Sequence, residues 1–335
     1  MKRTHVLLAG VITVLVALAA CGPAATEAPP AQLFRVAVVM PSAINDLAFS
    51  QSMYDALVAV RTERGEANFE LAYSEGMFVV EDAAAAIRDY AAQGYDLVIA
   101  HGSQYGSSVS EIAPDFADTS FAWGTTLDTF AGQGITNVFA YEARSEQGGY
   151  INGVVAASLS QSGIIGVIGP IETGDAKLYV DGFRAGVMAT NPEAQVNVNW
   201  TGSFSDVALA SEAAQTHINA GADVLTGTAQ MVVGAIGVAE TNGVLWFGTQ
   251  SDQTSLAPDI VVANQVYDWT VALKQILTQI HEGQLGGASY ALTLANGGLK
   301  IAFNPGYSAA EDVLARAEET IAGISDGSIT IEMGE

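Results

Sequence analysis

The 335-residue chain is poor in the residues that carry much of protein chemistry, with one cysteine, four histidines and 12 lysines and arginines. A single cysteine excludes an internal disulfide and a zinc site built from several thiolates. The basic residues are outnumbered by 36 aspartates and glutamates, which gives a formal net charge of -24. Such a surface repels the phosphates of nucleic acids, so we expect no nucleic-acid partner.

The sequence also lacks the common signatures of nucleotide-dependent and metal-dependent enzymes. It contains no G-x-x-x-x-G-K-[ST], no H-E-x-x-H, and no G-x-G-x-x-G after the first predicted strand. The stretch GISDG at 323–327 matches G-x-S-x-G, but it follows a predicted helix, and no histidine comes after His281. We therefore expect a protein that is not an enzyme and that needs no cofactor and no metal.

The one cysteine, Cys21, follows a segment typical of secretion. Lys2 and Arg3 precede an uncharged apolar run at 6–20, which is shorter than the ~20 residues that span a bilayer but suits a signal peptide. The tetrapeptide LAAC at 18–21 resembles the lipobox of bacterial lipoproteins, which are cut before the cysteine and acylated on its sulfur. We expect a lipoprotein signal peptide at 1–20 and a lipid anchor at Cys21, which holds the chain to the lipid bilayer on the extracytoplasmic face of the cell membrane. An ordinary secretion signal with an incidental cysteine is the alternative.

The rest of the chain divides into a tether and two similar halves. Residues 21–33 contain several prolines and no hydrophobic period, which predicts a flexible tether. From residue 34 onward, short Val- and Ile-rich runs alternate with helical patterns, which is typical of parallel sheets with crossover helices. We predict an α/β protein with two doubly wound parallel-sheet lobes, a hinge and a central cleft. The N-terminal lobe is expected at 34–140, completed by about 265–300, and the C-terminal lobe at 141–264, completed by the C-terminal segment.

Ligands of doubly wound sheets bind at the loops that follow the carboxyl ends of the strands. In this chain those loops carry aromatic and short polar residues and few cations. Aromatic faces stack on planar rings, whereas amides and carboxylates bind hydroxyl and N–H groups. The lining therefore suits a neutral or weakly basic ring-containing solute. Each aromatic residue is also consistent with core packing, and His101, at the end of the third strand, is equally consistent with an ordinary buried histidine.

Several stretches, in order along 34–307, resemble the basic membrane lipoprotein (BMP) family, the PnrA-like substrate-binding proteins of ABC transporters. NDLAFSQSMYDAL is similar to D-x-S-F-N-x-x-x-[WY]-x-G, and EQGGYINGVVAAS to E-x-x-G-Y-L-A-G-x-x-A-A. YVDGFRAG resembles a G-F-x-A-G helix, and WTGSFSDVALASEAAQTHINAGADVL resembles W-x-G-S-F-x-D followed by E-A-A and G-A-D-V-I. FGTQSDQ resembles I-G-V-D-x-D-Q. The resemblance implies the type I periplasmic-binding-protein fold and capture of a solute, which is a purine nucleoside in some members.

The resemblance also implies which residues contact the solute, and some of them depart from the family pattern. The first Asp of D-x-D-Q is Gln250 here, and the family's Lys after the next strand is Gln265. The second stacking aromatic is Thr226, and the Asn of S-F-N is Ser50. We therefore expect the grip on a ribose diol to be weakened or replaced. Together with the aromatic residues of the strand-end loops, the predicted ligand-binding set is Asp46, Phe49, Ser50, Tyr54, His101, Tyr105, Trp123, Phe204, Gln250, Asp252, Gln265 and Trp269.

The function implied is that of a lipid-anchored binding protein for an ABC importer. Its expected partners are a small nucleoside-like solute, the ABC permease in the membrane and, through Cys21, the bilayer. The alternative is a sensor or surface lipoprotein of the same fold that binds a sugar or another small ligand without a permease. An enzyme such as a nucleoside hydrolase needs a cluster of acidic or histidine side chains at one loop edge, and the sequence offers no dense group of this kind.

Overall fold

The computed structural model describes residues 33–333. The predicted signal peptide, Cys21 and the tether as far as residue 32 lie outside the described residues. Within the described range no helix combines the length and the apolar character needed to cross a membrane. In the same range no three His, Cys, Asp or Glu side chains come together as metal ligands do.

Strands and helices alternate along most of the chain. The strands are β1 (Phe34–Val39), β2 (Phe69–Ser74), β3 (Leu97–His101), β4 (Ser120–Gly124), β5 (Val138–Ala143), β6 (Ile164–Gly169), β7 (Gln195–Trp200), β8 (Val224–Gly227), β9 (Leu245–Gln250), β10 (Val261–Tyr267), β11 (Ser289–Leu292) and β12 (Leu299–Phe303). The α-helices are α1 (Phe49–Arg64), α2 (Val80–Ala92), α3 (Gly106–Ile112), α4 (Glu146–Leu159), α5 (Gly174–Thr190), α6 (Val207–Asn219), α7 (Val232–Asn242), α8 (Thr270–His281) and α9 (Glu311–Asp326).

The strands form two six-stranded sheets, each the centre of one lobe. The first sheet has the order β11-β5-β4-β3-β1-β2, and its strands are parallel. The second has the order β12-β10-β9-β8-β6-β7, parallel except for the antiparallel edge strand β12. This architecture confirms the predicted α/β class with two doubly wound lobes.

Local sequence explains why the elements form where they do. All five residues of β3 are buried, as expected for a central parallel strand covered by helices on both faces. Asp206 caps α6 by accepting hydrogen bonds from the backbone N–H groups of Ala208 and Leu209. Gly243 ends α7 with a φ of 65°, which a glycine adopts without a steric cost.

The chain passes between the sheets after β5, after β10 and after β11. The segment that returns to the first lobe comprises α8 and β11, and α8 packs in the same core as α1. The expected boundary between the lobes, at residues 140 and 141, falls inside β5, and β12, near the expected end of the returning segment, belongs to the second sheet.

Helices α4 and α5 pack unusually closely because glycines face backbone on both sides. A Cβ added to Gly153 would lie 2.1 Å from the carbonyl oxygen of Phe183, and one added to Gly186 would lie 2.0 Å from that of Tyr150. Gly149 and Gly182 show the same kind of approach. This packing fixes α5, whose first turn reaches the space between the lobes.

Candidate ligand-binding site

A cavity lies between the two lobes, at the carboxyl ends of their strands. It is lined from the first lobe by Pro41, Phe49, Gly102, Ser103, Gln104 and Thr125, and from the second by Asp175, Ala176, Phe204, Ala229, Gln230 and Gln250. Its volume is about 30 Å³, which is room for only a few water molecules. A ring-containing solute therefore requires the lobes to open or the lining side chains to move.

Phe49 forms an apolar wall of this cavity and is held in place from behind. Its ring stacks on His101 with a centroid distance of 3.8 Å and an interplanar angle of 9°, and Trp269 meets it edge-on at 6.2 Å. His101 is fully buried, and its Nδ1 lies 2.9 Å from the Tyr141 hydroxyl. An aromatic side chain fixed in this way presents a pre-set surface to a planar ring.

The imidazole of His101 is neutral. Its Nε2 lies 3.1 Å from the carbonyl oxygen of Phe49; because a carbonyl only accepts hydrogen bonds, Nε2 carries the proton, and Nδ1 accepts from Tyr141. Burial lowers the pKa of His101 to about 3, against a small opposing effect of the hydrogen bond to Phe49. His101 thus orients Phe49 rather than touching a solute.

On the opposite lobe, Phe204 lines the cavity from the loop after β7. Its carbonyl oxygen accepts a hydrogen bond of 3.1 Å from the backbone N–H of Met231. That bond ties the loop to the start of α7, next to the lining residues Ala229 and Gln230. The cavity therefore has an aromatic side chain on each lobe.

Asp175, in the first turn of α5, is the one carboxylate among the described residues that line the cavity. It is 8% exposed, and its Oδ2 accepts a hydrogen bond of 2.9 Å from the Tyr267 hydroxyl. Burial raises its pKa, while hydrogen bonds from the side chains of Tyr267, Gln250 and Thr125 oppose that rise. Thr125 belongs to the first lobe, and its Oγ1 would lie 2.6 Å from a Cβ added to Gly174, so the two lobes approach each other closely at the start of α5. The N-terminus of α5 adds a partial positive charge that favours an anion at this position.

Two glutamines bring further oxygen atoms to the cavity. Gln250 is 3% exposed and Gln230 8% exposed, and the Oε1 atom of each lacks a hydrogen-bond partner among the described residues. Gln250 adopts a φ of 71° and Ala229 a φ of 78°, a left-handed backbone that residues other than glycine adopt at a cost and that is common at ligand clamps. The described lining residues include no lysine and no arginine.

Comparison with known proteins identifies the chain. The family model for PnrA-like ABC transporter substrate-binding proteins matches residues 33–328. The chain belongs to the PnrA-like family. This finding confirms the family predicted from the sequence motifs.

Relatives of this PnrA-like chain include a purine-binding protein of Brucella abortus, 29% identical over 260 residues that cover 78% of this chain and 72% of the relative. The transcriptional activator protein Med of Bacillus subtilis is 27% identical over 288 residues, 86% of each chain. Among solved structures, an ABC transporter solute-binding protein of Conexibacter woesei superposes with a TM-score of 0.72 at 24% identity, covering 90% of this chain and 99% of its own. That structural match supports the fold.

Three of the residues predicted from the sequence line the cavity of this PnrA-like protein: Phe49, Phe204 and Gln250. Two more, His101 and Trp269, are fully buried behind Phe49. The Trp269 indole N–H donates to Ser52 Oγ at 2.9 Å, so its polar edge is already satisfied. These two belong to the support of the wall, not to its surface.

Three predicted aromatic residues lie away from the cavity. Tyr54 packs edge-on against Tyr73 with a centroid distance of 5.2 Å. Tyr105 is fully buried and donates a hydrogen bond of 2.7 Å to the carbonyl oxygen of Met77. Trp123 stacks on Phe130 at 4.7 Å. For these three, core packing accounts for the aromatic side chain.

The remaining polar predictions have local partners or lie deeper. Asp46 accepts hydrogen bonds from the backbone N–H groups of Ala48, Ser50 and Gln51, and so stabilises the start of α1. The Ser50 hydroxyl accepts from the Ser42 backbone at 3.1 Å. Asp252 is exposed and accepts from Asn264 at 3.0 Å, outside the cavity. Gln265 is fully buried and packs against Gly148 of α4. The contact is close, because a Cβ added to Gly148 would lie 2.6 Å from Cδ of Gln265.

Sequence reasoning missed Asp175, Gln230 and Thr125 as site residues. Asp175 lies in the strand-end loop GPIETGDA, which the sequence marks as part of the cleft edge, but the helix pattern predicts a start at Lys177. The helix begins instead at Gly174, and this places the carboxylate in the first turn with its side chain buried. Thr226, expected where the family has an aromatic residue, is buried and donates to the carbonyl oxygen of Phe247 at 2.8 Å.

Proposed function

We propose that this protein is a lipid-anchored, extracytoplasmic solute-binding protein of an ABC importer, which captures a small polar ring-containing solute between its lobes and releases it chemically unchanged. The observation that carries the proposal is the cavity itself, whose lining comes from both lobes and from the strand-end loops. Closure of two lobes around a solute is the usual mechanism for this architecture.

The character of the lining supports a nucleoside-like solute. Phe49 and Phe204 offer an apolar ring on each side, and Asp175 with the glutamines offers hydrogen-bond acceptors. The relative from Brucella abortus is described as purine-binding. A nucleobase with an attached sugar has both a planar face and several donors, so it uses both parts of the cavity.

The proposal is tested by a thermal-shift screen of nucleosides, nucleobases and sugars on the full-length protein in detergent. A solute at 100 times its dissociation constant stabilises the folded state by ~2.7 kcal/mol, which moves the unfolding midpoint visibly. Isothermal titration then gives the affinity, and chromatography of the recovered solute shows that it is unchanged. Chemical conversion of a bound solute contradicts the proposal, and so does a screen without any binder.

A sensor or surface lipoprotein is the second candidate, because the relative from Bacillus subtilis is described as a transcriptional activator. Both candidates require solute binding, so the screen does not separate them. Measurement of solute uptake separates them. If the protein delivers its solute to a permease, deletion of the gene should abolish uptake of the identified solute. Permease genes beside the gene for this protein favour the importer.

We expect that Cys21→Ser moves the protein from the membrane fraction to the soluble fraction, because the hydroxyl cannot form the thioether that carries the acyl chains. Ala24→Ser, in the predicted tether, is the matched control and should leave the protein on the membrane. Fractionation with metabolic labelling by radioactive palmitate measures both. A Cys21→Ser protein that still incorporates palmitate contradicts the anchor.

A further inference from the structure

We infer that the cavity selects solutes that present hydrogen-bond donors and carry no negative charge, and that Asp175 is the residue that binds the donor. This inference deepens the proposed function and rests on it. Two kinds of solute have the required hydrogen-bond donor: a hydroxylated ring supplies O–H groups, and an amine supplies N–H groups.

The first observation is that Asp175 is a buried carboxylate without a cationic partner among the described residues. Its side-chain hydrogen bond within the described residues comes from the neutral hydroxyl of Tyr267. The pKa of the nearby Glu142 is raised by burial first; the charge of Arg144 opposes that rise, and the charges of Glu146 and Asp175 add to it. Arg144 forms its ion pair with Glu146 at 2.7 Å, and no ion pair in the described residues reaches Asp175. A buried charge that lacks compensation gains most from a donor that arrives with the ligand.

The second observation is independent of the carboxylate. Gln250 and Gln230 are each more than nine-tenths buried and line the same cavity, and the Oε1 atom of each lacks a partner within the described range. Both oxygens are therefore left for donors on the solute.

Together these groups set the sign of the charge that the cavity accepts. A solute with hydroxyl or N–H groups satisfies the carboxylate and the two amide oxygens at once. A phosphate or carboxylate on the solute would meet the Asp175 carboxylate and find no lysine or arginine among the described lining residues. Such an anion would lose its hydration and gain only neutral donors, such as the hydroxyls of Ser103 and Thr125.

The first test uses three pairs of solutes that differ by one phosphate: adenosine and adenosine 5′-monophosphate, glucose and glucose 6-phosphate, ethanolamine and phosphoethanolamine. We expect at least one parent to bind the full-length protein, and its phosphate to bind about 100-fold more weakly or not at all. The adenosine and glucose pairs report a hydroxyl donor, whereas the ethanolamine pair reports an ammonium donor. A phosphate that binds as tightly as its parent overturns the inference but leaves the proposed function intact. If none of the parents binds, the comparison is made with a binder from the thermal-shift screen and its phosphate, and a screen without any binder contradicts the proposed function itself.

The second test uses Asp175→Asn with Asp181→Asn as the matched control, since Asp181 lies in the same helix and pairs with Lys177 on the surface. We expect Asp175→Asn to weaken binding of the parent solute about 10-fold to 100-fold. The ratio of the affinity for the parent to the affinity for its phosphate should also decrease. The control should bind as the wild type does. Equal binding by Asp175→Asn and the wild type overturns the inference.

A further variant keeps the test decisive if Asp175→Asn fails to fold. Gln230→Met removes one unpartnered amide oxygen at nearly constant volume and leaves Asp175 untouched. We expect it to weaken binding of the parent about fivefold to tenfold, with an unfolding midpoint close to that of the wild type. Unchanged affinity in this folded variant contradicts the role of the Gln230 oxygen and with it the inferred preference for donor groups.

Discussion

At the residue scale, His101 shapes the cleft without entering it. Its ring supports Phe49 from behind, and both ring nitrogens find partners in the neutral form, the Tyr141 hydroxyl and the Phe49 carbonyl oxygen. Protonation would place a positive charge in a fully buried position, where no carboxylate is among its hydrogen-bond partners. The position of Phe49 in the cavity wall therefore depends on the protonation state of a residue that does not itself line the cavity.

This coupling predicts a pH dependence of stability. Because burial lowers the folded-state pKa of His101 to about 3, below the ordinary ~6.5 of the unfolded chain, the unfolded state binds one more proton as the pH falls through that window. The stability from the neutral imidazole is thus complete above pH ~6.5 and is lost at about 1.4 kcal/mol per pH unit below it. Between pH 6 and 4, the free energy of unfolding of His101→Gln, measured with urea, should fall less steeply with decreasing pH than that of the wild type. The difference between the two slopes should correspond to one proton. His281→Gln, at the exposed end of α8, is the control, and parallel curves for His101→Gln and the wild type contradict the prediction.

Sequence reasoning located the loops of the site better than the side chains that face the solute. Phe49 and Gln250 were identified because they occupy positions of family motifs at strand ends. Tyr105 lies shortly after the end of β3, and Trp123 is the last residue but one of β4. Both rings pack against core residues, and the sequence around a single aromatic residue does not indicate which way its ring points. Asp175 was missed because the start of α5 lies a few residues earlier than its hydrophobic period suggests.

At the scale of elements, the α4–α5 pair shows how glycine spacing sets the position of the site. Gly149 and Gly153 on α4 face the backbone of α5, and Gly182 and Gly186 on α5 face the backbone of α4. The family motifs contain these glycines, but the sequence does not show that the glycines of α4 and those of α5 lie at one helix–helix contact. Their contact brings the N-terminus of α5, with Asp175, against the edge of the cavity.

We predict that Gly153→Ala lowers the free energy of unfolding by about 2 kcal/mol or more, because its Cβ would lie 2.1 Å from a backbone oxygen that cannot move alone. Gly237→Ala, within α7, is the matched control, since a Cβ there meets nothing within 4 Å. That substitution should raise stability by about 0.5–1 kcal/mol through helix propensity. Urea unfolding measures both, and a neutral Gly153→Ala would show that the helices separate at little cost.

At the scale of the whole molecule, the alternation of strand and helix patterns was enough to predict two parallel-sheet lobes. It did not predict that β12 runs antiparallel in the second sheet, because the direction of an edge strand depends on where the chain crosses between lobes. Three such crossings join the lobes in the described residues. Direct hydrogen bonds across the cleft add to them: Ser251 Oγ donates to the carbonyl oxygen of Ala48 at 2.9 Å, and Gln253 Nε2 donates to that of Leu47 at 3.3 Å.

These bonds hold the lobes together without help from a solute, so their loss should shift the molecule toward an open form. One such bond contributes about 0.5–1.5 kcal/mol, so Ser251→Ala should lower the ratio of closed to open molecules about twofold to tenfold and lower the solute affinity by at most that factor. Small-angle scattering should show a larger radius of gyration for the ligand-free variant and the wild-type value once solute is saturating. Ser110→Ala removes a hydroxyl that donates to Ser107, a bond confined to the first lobe, and should change neither quantity. If Ser251→Ala scatters and binds as the wild type does, the crossings between the sheets alone set the closed geometry.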